Sequence, residues 1–379
     1  MLQLVDWLGA LIITIILTII YIFATVICGS ERSRSGGFTP TIVDTTINTA
    51  VGTDVTTGKK YKILSFNVEY EATNYSPDEV MQIIDNLGAD VVVLNEAHET
   101  EGALTNAEYS SKIADALTQH GINYTYSHDW AIIASKHSIT QPFKSIITDG
   151  IKSTNKYLDS AALIDDKFYV LSAHLTDYPY QPFQLAHIPY CYETCQKNIC
   201  SRPYDQSANT ASTLTKSSTC AKKSAETQMI EQAHLARGAD VDMIISAIEE
   251  ISKVDGRPIL LAGDFNEPSH LDWSDDAVRA GEQPLRVRFP TSSRLVSAGM
   301  QDLFRAVHPD PVKNPGHTWP ARPLTKEYLA DLSLGQIKEQ IATPTDRIDF
   351  IYGKGFTPLS ADVVVTPSDH NAVIAEVEV

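Results

Sequence analysis

The sequence predicts an α/β fold in which two packed mixed sheets lie between outer helices, preceded by one N-terminal transmembrane helix. Strand-like and helix-like segments alternate from Tyr61 onward, and two further strand-like segments close the chain, which favours mixed sheets covered by helices. The transmembrane helix is predicted from an uncharged apolar run, residues 8–28, because about 20 such residues cross a bilayer.

The apolar run at residues 8–28 is interpreted as a membrane anchor. A cleaved signal peptide is the alternative, but no Lys or Arg precedes the run, and the run is longer than a usual signal core. Residues 29–60 are rich in Gly, Ser and Thr, which predicts a flexible linker. The predicted organisation is an anchor over residues 1–28, a linker over 29–60 and one large domain over 61–379.

Two signals disagree about the side of the membrane on which this domain lies. Arg32 and Arg34 follow the apolar run, which favours a cytoplasmic domain. Four cysteines lie close together in a polar stretch, which favours disulfides in an oxidising compartment, and their spacing lacks the C-x-x-C pairs typical of zinc sites. These are Cys191, Cys195, Cys200 and Cys220. We expect a lumenal or extracellular domain.

The segments that follow Tyr61 are predicted in order as strand, helix, strand and helix. "YKILSFNV" is a strand, and "SPDEVMQIIDNLG" is a helix with Ser76 as N-cap and Gly88 as C-cap. "ADVVVLNE" is a buried strand, and "NAEYSSKIADALTQHG" repeats the helical pattern. Short strands are then expected around residues 123–135, 161–165 and 168–174.

The second half of the domain begins with an interruption of this pattern. Residues 178–222 are interpreted as an irregular insertion that carries the clustered cysteines. An amphipathic helix is predicted from Ser224 to Lys253, followed by a strand over 258–263. The segments "DRIDFIYG" and "AVIAEVEV" are predicted as the two terminal strands.

Polar side chains follow the apolar segments of five predicted strands or their neighbours, where loops on a rigid sheet carry function. Each has an ordinary alternative as a turn former, a solvated acid or a core histidine. Alternation along a strand would place the aspartate and asparagine of "GDFN" on one face, while an Asx turn is the simpler interpretation of that pair. The candidates are Asn67, Glu96, His174, Asp264, Asn266, Asp349, Asp369 and His370.

The order of these residues resembles the endonuclease/exonuclease/phosphatase superfamily over Tyr61–Val379. "GDFN" at 263–266 and "SDH" at 368–370 are the specific strings, whereas "FNV" and "LNE" are weak alone. The chain departs from the common pattern at Asn95, where glutamine is usual, and in its cysteine-bearing insertion. The resemblance implies a four-layered α/β sandwich with the site at the loop end of the two sheets.

The resemblance also implies a metal centre. Glu96 would be the main ligand of a Mg²⁺ ion, with Asn67 and Asp369 beside it and Mn²⁺ able to substitute. Oxygen ligands of this kind suit a hard cation that also binds substrate phosphate.

The remaining candidates are implied to act on the substrate. Asp264 would orient or deprotonate the attacking water, and Asn266 would hold the water or the phosphoryl oxygens. His370 and His174 would donate hydrogen bonds to the phosphoryl group as its negative charge grows. Asp349 would fix the tautomer and pose of His370.

Weaker signals surround these positions. "PGHTWP" resembles a loop near the family's site, so Trp319 is expected to pack beneath it, while His317 is as readily a surface residue. Asp177, Tyr178 and Tyr180 could line a substrate pocket or merely begin the insertion, and the second interpretation is favoured.

The function implied is a membrane-anchored, Mg²⁺-dependent phosphoesterase that hydrolyses phosphodiesters, with a nuclease favoured. The net charge of −17 argues against a protein that grips nucleic acid by its surface field. A phospholipid or small-molecule phosphodiesterase or phosphatase, similar to a sphingomyelinase or an inositol phosphatase, is therefore the alternative. A second alternative is an inactive, membrane-anchored binding module. The partners expected are a nucleic acid or a phospholipid headgroup, and the membrane through residues 8–28; no obligate protein partner is inferred.

The clustered cysteines give a first testable prediction. In a lumenal or extracellular domain, Cys191, Cys195, Cys200 and Cys220 should form two disulfides, in one of three pairings. Mass spectrometry of the protein from its native compartment under non-reducing conditions measures this. Four freely alkylatable thiols would instead support the cytoplasmic orientation that the two arginines favour.

Overall fold

The computed structural model describes residues 58–72, 74–101, 108–144, 155–186, 188, 223–322, 324 and 344–379. The predicted anchor, the linker as far as residue 57 and the four clustered cysteines lie outside the described residues. No helix in the described ranges is both long enough and apolar enough to cross a membrane. The anchor, the disulfides and the side of the membrane therefore stay predictions.

Two six-stranded mixed sheets form the centre of the described structure. The strands are β1 (Lys60–Asn67), β2 (Val91–Asn95), β3 (Glu99–Glu101), β4 (Glu108–Ser110), β5 (Asn123–Tyr126), β6 (Ile132–Ser135), β7 (Ile139–Thr140), β8 (Ala162–Ile164), β9 (Phe168–His174), β10 (Ile259–Asp264), β11 (Gln301–Asp302), β12 (Asp349–Lys354), β13 (Thr357–Val364) and β14 (Ala372–Glu378). The first sheet has the order β13-β14-β1-β2-β6-β5, and the second has the order β11-β12-β10-β9-β8-β7. β3 and β4 form a separate hairpin.

The helices cover the outer faces of these sheets or lie in the connections between strands. They are α1 (Pro77–Leu87), α2 (Lys112–Gln119), α3 (Lys156–Asp159), α4 (Gln181–Ala186), α5 (Ala225–Val254), α6 (Asp275–Ala280), α7 (Pro290–Ser297) and α8 (Leu303–Val307). One further segment, Glu69–Ala72, is a single left-handed turn, since its four residues have φ between 49° and 58°.

Each central strand is apolar on both faces because each sheet is buried on both faces. In β1, Tyr61 and Ile63 face the other sheet, whereas Leu64 and Phe66 face the helices. The same alternation recurs in β10, where Leu260 packs between the sheets and its neighbours pack outward. This explains why the strands were recognisable as continuous apolar runs.

Two helical layers complete the core. Val80 and Ile84 of α1 pack with α2 against the first sheet. Val241 and Ile248 of α5 pack with Leu295 of α7 against the second sheet. The chain is therefore an α/β sandwich of two mixed sheets with helices on its outer faces, which agrees with the layering that the resemblance implies.

Two helices were predicted near the N-terminus of the domain. The first is confirmed, and the second is shorter than predicted. Ser76 caps α1 in a capping box with Glu79, and Gly88 ends it with φ 64°. The second predicted helix begins only at Lys112, because Ser111 caps it by accepting from the backbone N–H of Ala114. Residues 108–110, predicted as helical, instead pair with β3.

Other differences lie in the second half of the domain. Residues 181–186, predicted to belong to an irregular insertion, form the buried helix α4. The long helix is confirmed, with Ser224 as its N-cap. β13 was not predicted; it is an edge strand with several exposed residues, so its apolar alternation is weak.

A buried cluster of opposite charges holds the chain just before β12. Arg347 is 1% exposed and its guanidinium lies 2.9 Å from Asp272 and 2.8 Å from Asp302. Arg305 donates to the same Asp272 at 2.6 Å. Since a buried charge without a partner is strongly destabilising, this network fixes the point at which β12 begins with Asp349.

Candidate active site

Three predicted site residues lie in one row across the second sheet. β10 pairs in parallel with β9 and antiparallel with β12, and both registers meet at the end of β10. Asp264 is opposite His174 on one side and opposite Asp349 on the other. Residues 85 and 90 positions apart in the sequence are thus neighbours because of strand register alone.

Asp264 ends its strand and also forms the Asx turn that was the simpler interpretation of "GDFN". The backbone N–H of Asn266 donates to Oδ1 of Asp264 at 2.8 Å, and Asn266 has φ 50°. The expectation that both residues share one face of a strand is wrong, since the strand ends at Asp264. Their side chains meet through the turn instead, with Asn266 Nδ2 3.3 Å from Asp264 Oδ2.

Two buried asparagines of the first sheet reach across to the second. Asn67 Nδ2 donates to Asp264 Oδ2 at 3.1 Å and to Glu96 Oε1 at 3.0 Å. Asn95 Nδ2 donates to the carbonyl of Ala173 at 2.9 Å, and its Oδ1 accepts from the backbone N–H of Asp264 at 3.1 Å. Asn95, the position that departs from the family pattern, therefore joins the two sheets at the site.

The glycine of "GDFN" is required by the same close approach. Gly263 has φ 140°, in the region that favours glycine, and a Cβ there would lie 1.9 Å from the carbonyl oxygen of Ala173. It would also lie 2.9 Å from Oδ1 of Asn95. Only a residue without a side chain allows β9 and Asn95 to approach this strand.

His370 is held by the carboxylate predicted to orient it. Its Nδ1 lies 2.9 Å from Asp349 Oδ2, and its Nε2 lies 3.8 Å from Asp264 Oδ2. Burial alone would lower the pKa of His370, but the carboxylates of Asp349, Asp264 and Asp369 outweigh burial and hold that pKa well above its usual value. His370 is thus favoured as an imidazolium with Nε2 facing the site.

The pKa of the Asp264 carboxyl group is also raised, which for an acid disfavours the charged form. Burial raises its pKa to about 7, and the negative charge of Asp349 adds to the increase, while the two histidines oppose it. Perturbed carboxyl groups of this kind cluster at functional sites.

A second group of acids lies beside Asn67. Glu96 follows β2 with φ 56°; its Oε2 accepts from the backbone N–H of Tyr70 at 3.0 Å, and its Oε1 lies 3.6 Å from His174 Nε2. His174 Nδ1 in turn donates to the carbonyl of Asp129 at 3.1 Å. Glu96 and His174 therefore face each other across the gap between the sheets.

Glu69 belongs to this group and was not predicted. Its backbone N–H donates to Asn67 Oδ1 at 3.0 Å, and its Oε2 accepts from the backbone N–H of Asp369 at 3.2 Å. Burial raises the pKa of Glu69 to about 7, and the charge of Asp369 adds to the increase. The position two residues after Asn67 in "FNVEY" was the available signal, but the left-handed turn that directs Glu69 inward has no sequence pattern.

The donor chemistry of these acids fits a hard divalent cation. Glu96 accepts from the Asn67 amide, and Glu69 accepts from the backbone of Asp369, which brings together residues whose carboxylate oxygens Mg²⁺ prefers. A second buried group, Asp264, Asp349 and His370, places one potential ligand atom from each residue within 4.8 Å of the others. In that group Asp349 Oδ1 is buried without a hydrogen-bond partner. Bound positive charge would relieve the unfavourable burial of so many acids.

The weaker predictions separate into residues that reach the site and residues that do not. Trp319 packs against His370 with ring centroids 6.2 Å apart, and its Nε1 donates to Asp369 Oδ2 at 3.4 Å. Tyr180 is a core residue whose hydroxyl donates to buried Asp346 at 2.8 Å. His317 contacts Thr345 at 3.1 Å, and no contact to the residues of the site is seen among the described side chains.

Comparisons with known proteins give distant similarities. No protein-family model matches the sequence. An uncharacterized protein of Caenorhabditis elegans, F14F9.5, is 22% identical over 354 residues, which cover 87% of this chain and 95% of that protein.

Solved structures are similar at low identity. An endonuclease/exonuclease/phosphatase from Beutenbergia cavernae is 15% identical with a TM-score of 0.41, covering 84% of this chain and 72% of that one. Truncated TDP2 of Caenorhabditis elegans is 14% identical with a TM-score of 0.38, covering 84% and 98%. The endonuclease domain of TRAS1, a telomere-specific non-LTR retrotransposon, is 10% identical with a TM-score of 0.40, covering 84% and 99%.

The two specific motifs meet in one buried site. Asp264 and Asn266 of "GDFN" lie against His370 of "SDH", and Asn67 connects them to Glu96. These contacts agree with the arrangement that the resemblance to the endonuclease/exonuclease/phosphatase superfamily implies. All eight residues that this superfamily resemblance selected lie at the loop end of the two sheets, linked through Asn67, Asp264 and their neighbours.

The close approach at Gly263 gives a testable prediction. Gly263→Ala should lower the free energy of unfolding by about 2–6 kcal/mol, since overpacking and an unfavourable φ act together. Gly121→Ala is the matched control: Gly121 also has positive φ, but nothing lies within 4 Å of its Cβ position, so about 1–2 kcal/mol is expected. Urea unfolding of both variants measures the difference. Equal losses would show that the two sheets do not require this contact.

Proposed function

We propose that the chain is a divalent-cation-dependent phosphoesterase that hydrolyses phosphodiesters by attack of water, with nucleic acid as the favoured substrate. The observation that carries this proposal is the surrounding of Asp264 Oδ2. Asn67 Nδ2 lies 3.1 Å from it, Asn266 Nδ2 lies 3.3 Å from it, and His370 Nε2 lies 3.8 Å from it. These groups come from both sheets and converge on one carboxylate oxygen.

Asp264 is the group proposed to orient and deprotonate the attacking water. Its Oδ1 is occupied by the Asx turn, so the carboxylate cannot rotate freely, and Oδ2 is held towards the site. A positioned base of this kind contributes about 10²–10⁴-fold to a hydrolysis rate. Asn266 would hold the water or a phosphoryl oxygen through its amide, which the carbonyl of Leu175 fixes at 2.9 Å.

His370 and His174 are proposed to stabilise the charge that develops on the phosphoryl oxygens. The hydrogen bond from Nδ1 to Asp349 leaves Nε2 of His370 to donate towards the site. His174 is fixed in the same way by the carbonyl of Asp129. Donors that are already oriented need no reorganisation during the reaction, which is the main source of their effect.

The oxygen-rich group around Asn67 is proposed to hold Mg²⁺, with Mn²⁺ able to substitute. Glu96, Asp369 and Glu69 would supply the carboxylates, and Asn67 orients Glu96. A bound divalent cation supplies neutralisation of negative charge on a phosphoester. Arg322, whose guanidinium lies 4.0 Å from Glu69, adds one exposed positive charge at the edge of the site.

Two classes of substrate fit this chemistry. Nucleic acid is favoured by the sequence resemblance, since the superfamily that it points to includes nucleases. A phospholipid or small-molecule phosphodiester is the alternative, and it is favoured by the predicted anchor at residues 8–28 and by the net charge of −17. The presence of all eight predicted residues in one site supports an enzyme over an inactive binding module. Attachment to a membrane, with a lumenal or extracellular domain, remains part of the proposal.

Asp264→Asn tests the proposed base. Asparagine cannot accept the proton from the attacking water, so kcat should fall by about 10²–10⁴-fold. It keeps an oxygen for the Asx turn, so the melting temperature should change only slightly. Two effects on stability oppose each other: the new amide faces the donors of Asn67 and Asn266, while the cost of burying a charge disappears.

Asp310→Asn is the matched control, because Asp310 also accepts a backbone hydrogen bond two residues onward, from Val312 at 3.0 Å, but lies in an exposed loop. Its kcat should equal that of the wild type. If the Asp264→Asn protein retains more than about a tenth of the wild-type kcat, Asp264 is not the base and serves only to form the turn.

Glu96→Gln tests the proposed cation ligand. The change keeps the size of the side chain but removes its charge, so activity at low Mg²⁺ should fall by orders of magnitude and recover partly at high Mg²⁺ or Mn²⁺. Titration of metal binding and activity in the two proteins measures this. Glu376→Gln, in a surface pair with Lys60 on the same sheet, is the control. Unchanged metal affinity and unchanged turnover in Glu96→Gln contradict the assignment.

A further inference from the structure

Two exposed aromatic side chains lie together beside the site. Tyr70 is 64% exposed and Trp130 is 41% exposed, and their ring centroids are 6.4 Å apart with the planes tilted by 55°. Among the large hydrophobic residues that are exposed in the described ranges, these two are the aromatic ones. We call Tyr70 and Trp130 the aromatic pair.

The aromatic pair is connected to the proposed cation ligand through its backbone. The N–H of Tyr70 donates to Glu96 Oε2 at 3.0 Å, and the carbonyl of Trp130 accepts from the N–H of Ala97 at 2.8 Å. Asp129, next to Trp130, fixes His174 through its carbonyl. Both residues are therefore bonded to Glu96 or to Ala97 beside it, which places the aromatic pair at the rim of the site.

Both rings stand on backbone that is unfavourable for bulky residues. Tyr70 has φ 49° and Trp130 has φ 60°, which is uncommon for any residue but glycine or asparagine. A glycine would make either turn at lower cost, so the turns alone do not explain the aromatic side chains. Strained backbone of this kind occurs where function requires a particular geometry.

A polar network holds the loop that carries Trp130. The hydroxyls of Ser127 and Ser172 lie 2.6 Å apart, and His128 Nδ1 lies 2.8 Å from Ser160 Oγ. Asp129 pairs with Lys156 at 2.5 Å. The loop is thus fixed to the second sheet and to α3, so that little ordering is needed when a ligand contacts the ring.

The net charge of the chain indicates how the aromatic pair would contribute to binding affinity. With a net charge of −17 the chain lacks the long-range attraction that usually brings nucleic acid to a protein. Short-range contacts must then provide affinity, and base–aromatic stacking is a contact of this kind that does not depend on positive charge.

We propose that the aromatic pair is a stacking surface for a nucleobase next to the scissile phosphate of a single-stranded nucleic acid. This inference rests on the proposed function, and it names the part of the substrate that the site recognises beyond the phosphate. An unpaired base is required, because a base within a duplex has both faces covered by its neighbours. A quaternary ammonium headgroup, which aromatic rings also bind, is the competing occupant.

The test compares two substrates that differ only in their bases. The full chain, with Mg²⁺, is offered a single-stranded oligodeoxynucleotide and an oligomer of the same length whose sugars carry no bases. Tyr70→Ala and Trp130→Ala should lower kcat/KM on the first substrate by between about fivefold and about 150-fold, mainly through KM. On the oligomer without bases, the variants should match the wild type. Tyr70→Phe and Trp130→Phe keep a ring and should retain most of the activity.

Leu359→Ala is the surface control, since Leu359 lies on β13 and is 40% exposed. Equal losses on both oligomers, or no loss on either, would overturn the stacking inference while leaving the proposed function in place. Loss confined to p-nitrophenylphosphorylcholine would assign the aromatic pair to a choline headgroup instead. A folded wild-type protein that hydrolyses none of the three substrates would contradict the proposed function itself, and the inference with it.

Discussion

The described structure depends on the contact between the loop ends of its two sheets, where Asn67 and Asn95 of one sheet bond to Asp264 and Ala173 of the other. Apolar packing between sheets tolerates small shifts, but buried amide hydrogen bonds do not, because a donor left without an acceptor costs about 1–3 kcal/mol. These bonds determine how far apart the sheets lie at this end. They also explain the glycine before Asp264, since a side chain there would separate the strands that the asparagines join.

The same contact places several acidic side chains close together. What the site can bind depends on which groups balance their negative charge. The carboxylates of Asp349, Asp264 and Asp369 hold the pKa of His370 well above its usual value, although burial acts in the other direction. Glu69 pairs with Arg322, which is largely exposed, and Glu96 faces His174 at 3.6 Å. An arrangement with this excess of buried negative charge is suited to a divalent cation and to an anionic substrate bound through that cation. A surface with net negative charge and a phosphodiester site are therefore compatible.

Much of the fold could be predicted because burial on both faces makes the central strands apolar throughout and because helix caps are local. Ser76, Gly88 and Ser224 cap helices as their residue types indicate. The edge strand β13 was missed because only one side of it is covered. The hairpin that replaces the start of the second helix depends on pairing with β3, which no local pattern in residues 108–110 shows.

The candidate site could be predicted as a set of residues but not as a geometry. The eight residues were found because they follow apolar segments and match motif strings, whereas their contacts depend on strand register. Glu69 was missed because a left-handed turn directs it inward. Asp264 and Asn266 were expected together for the wrong reason, since a turn and not strand alternation joins them. The aromatic pair carried no sequence signal, because neither residue belongs to a motif.

The most direct measurement is hydrolysis by the purified full chain of a panel of phosphoesters: single-stranded DNA, RNA, sphingomyelin, phosphoinositides and bis-p-nitrophenyl phosphate. The site geometry predicts turnover of phosphodiesters that requires Mg²⁺ or Mn²⁺, stops on chelation and resumes when the cation is restored. Single-stranded nucleic acid should be the best substrate. A folded protein that hydrolyses none of these compounds with either cation would contradict the account.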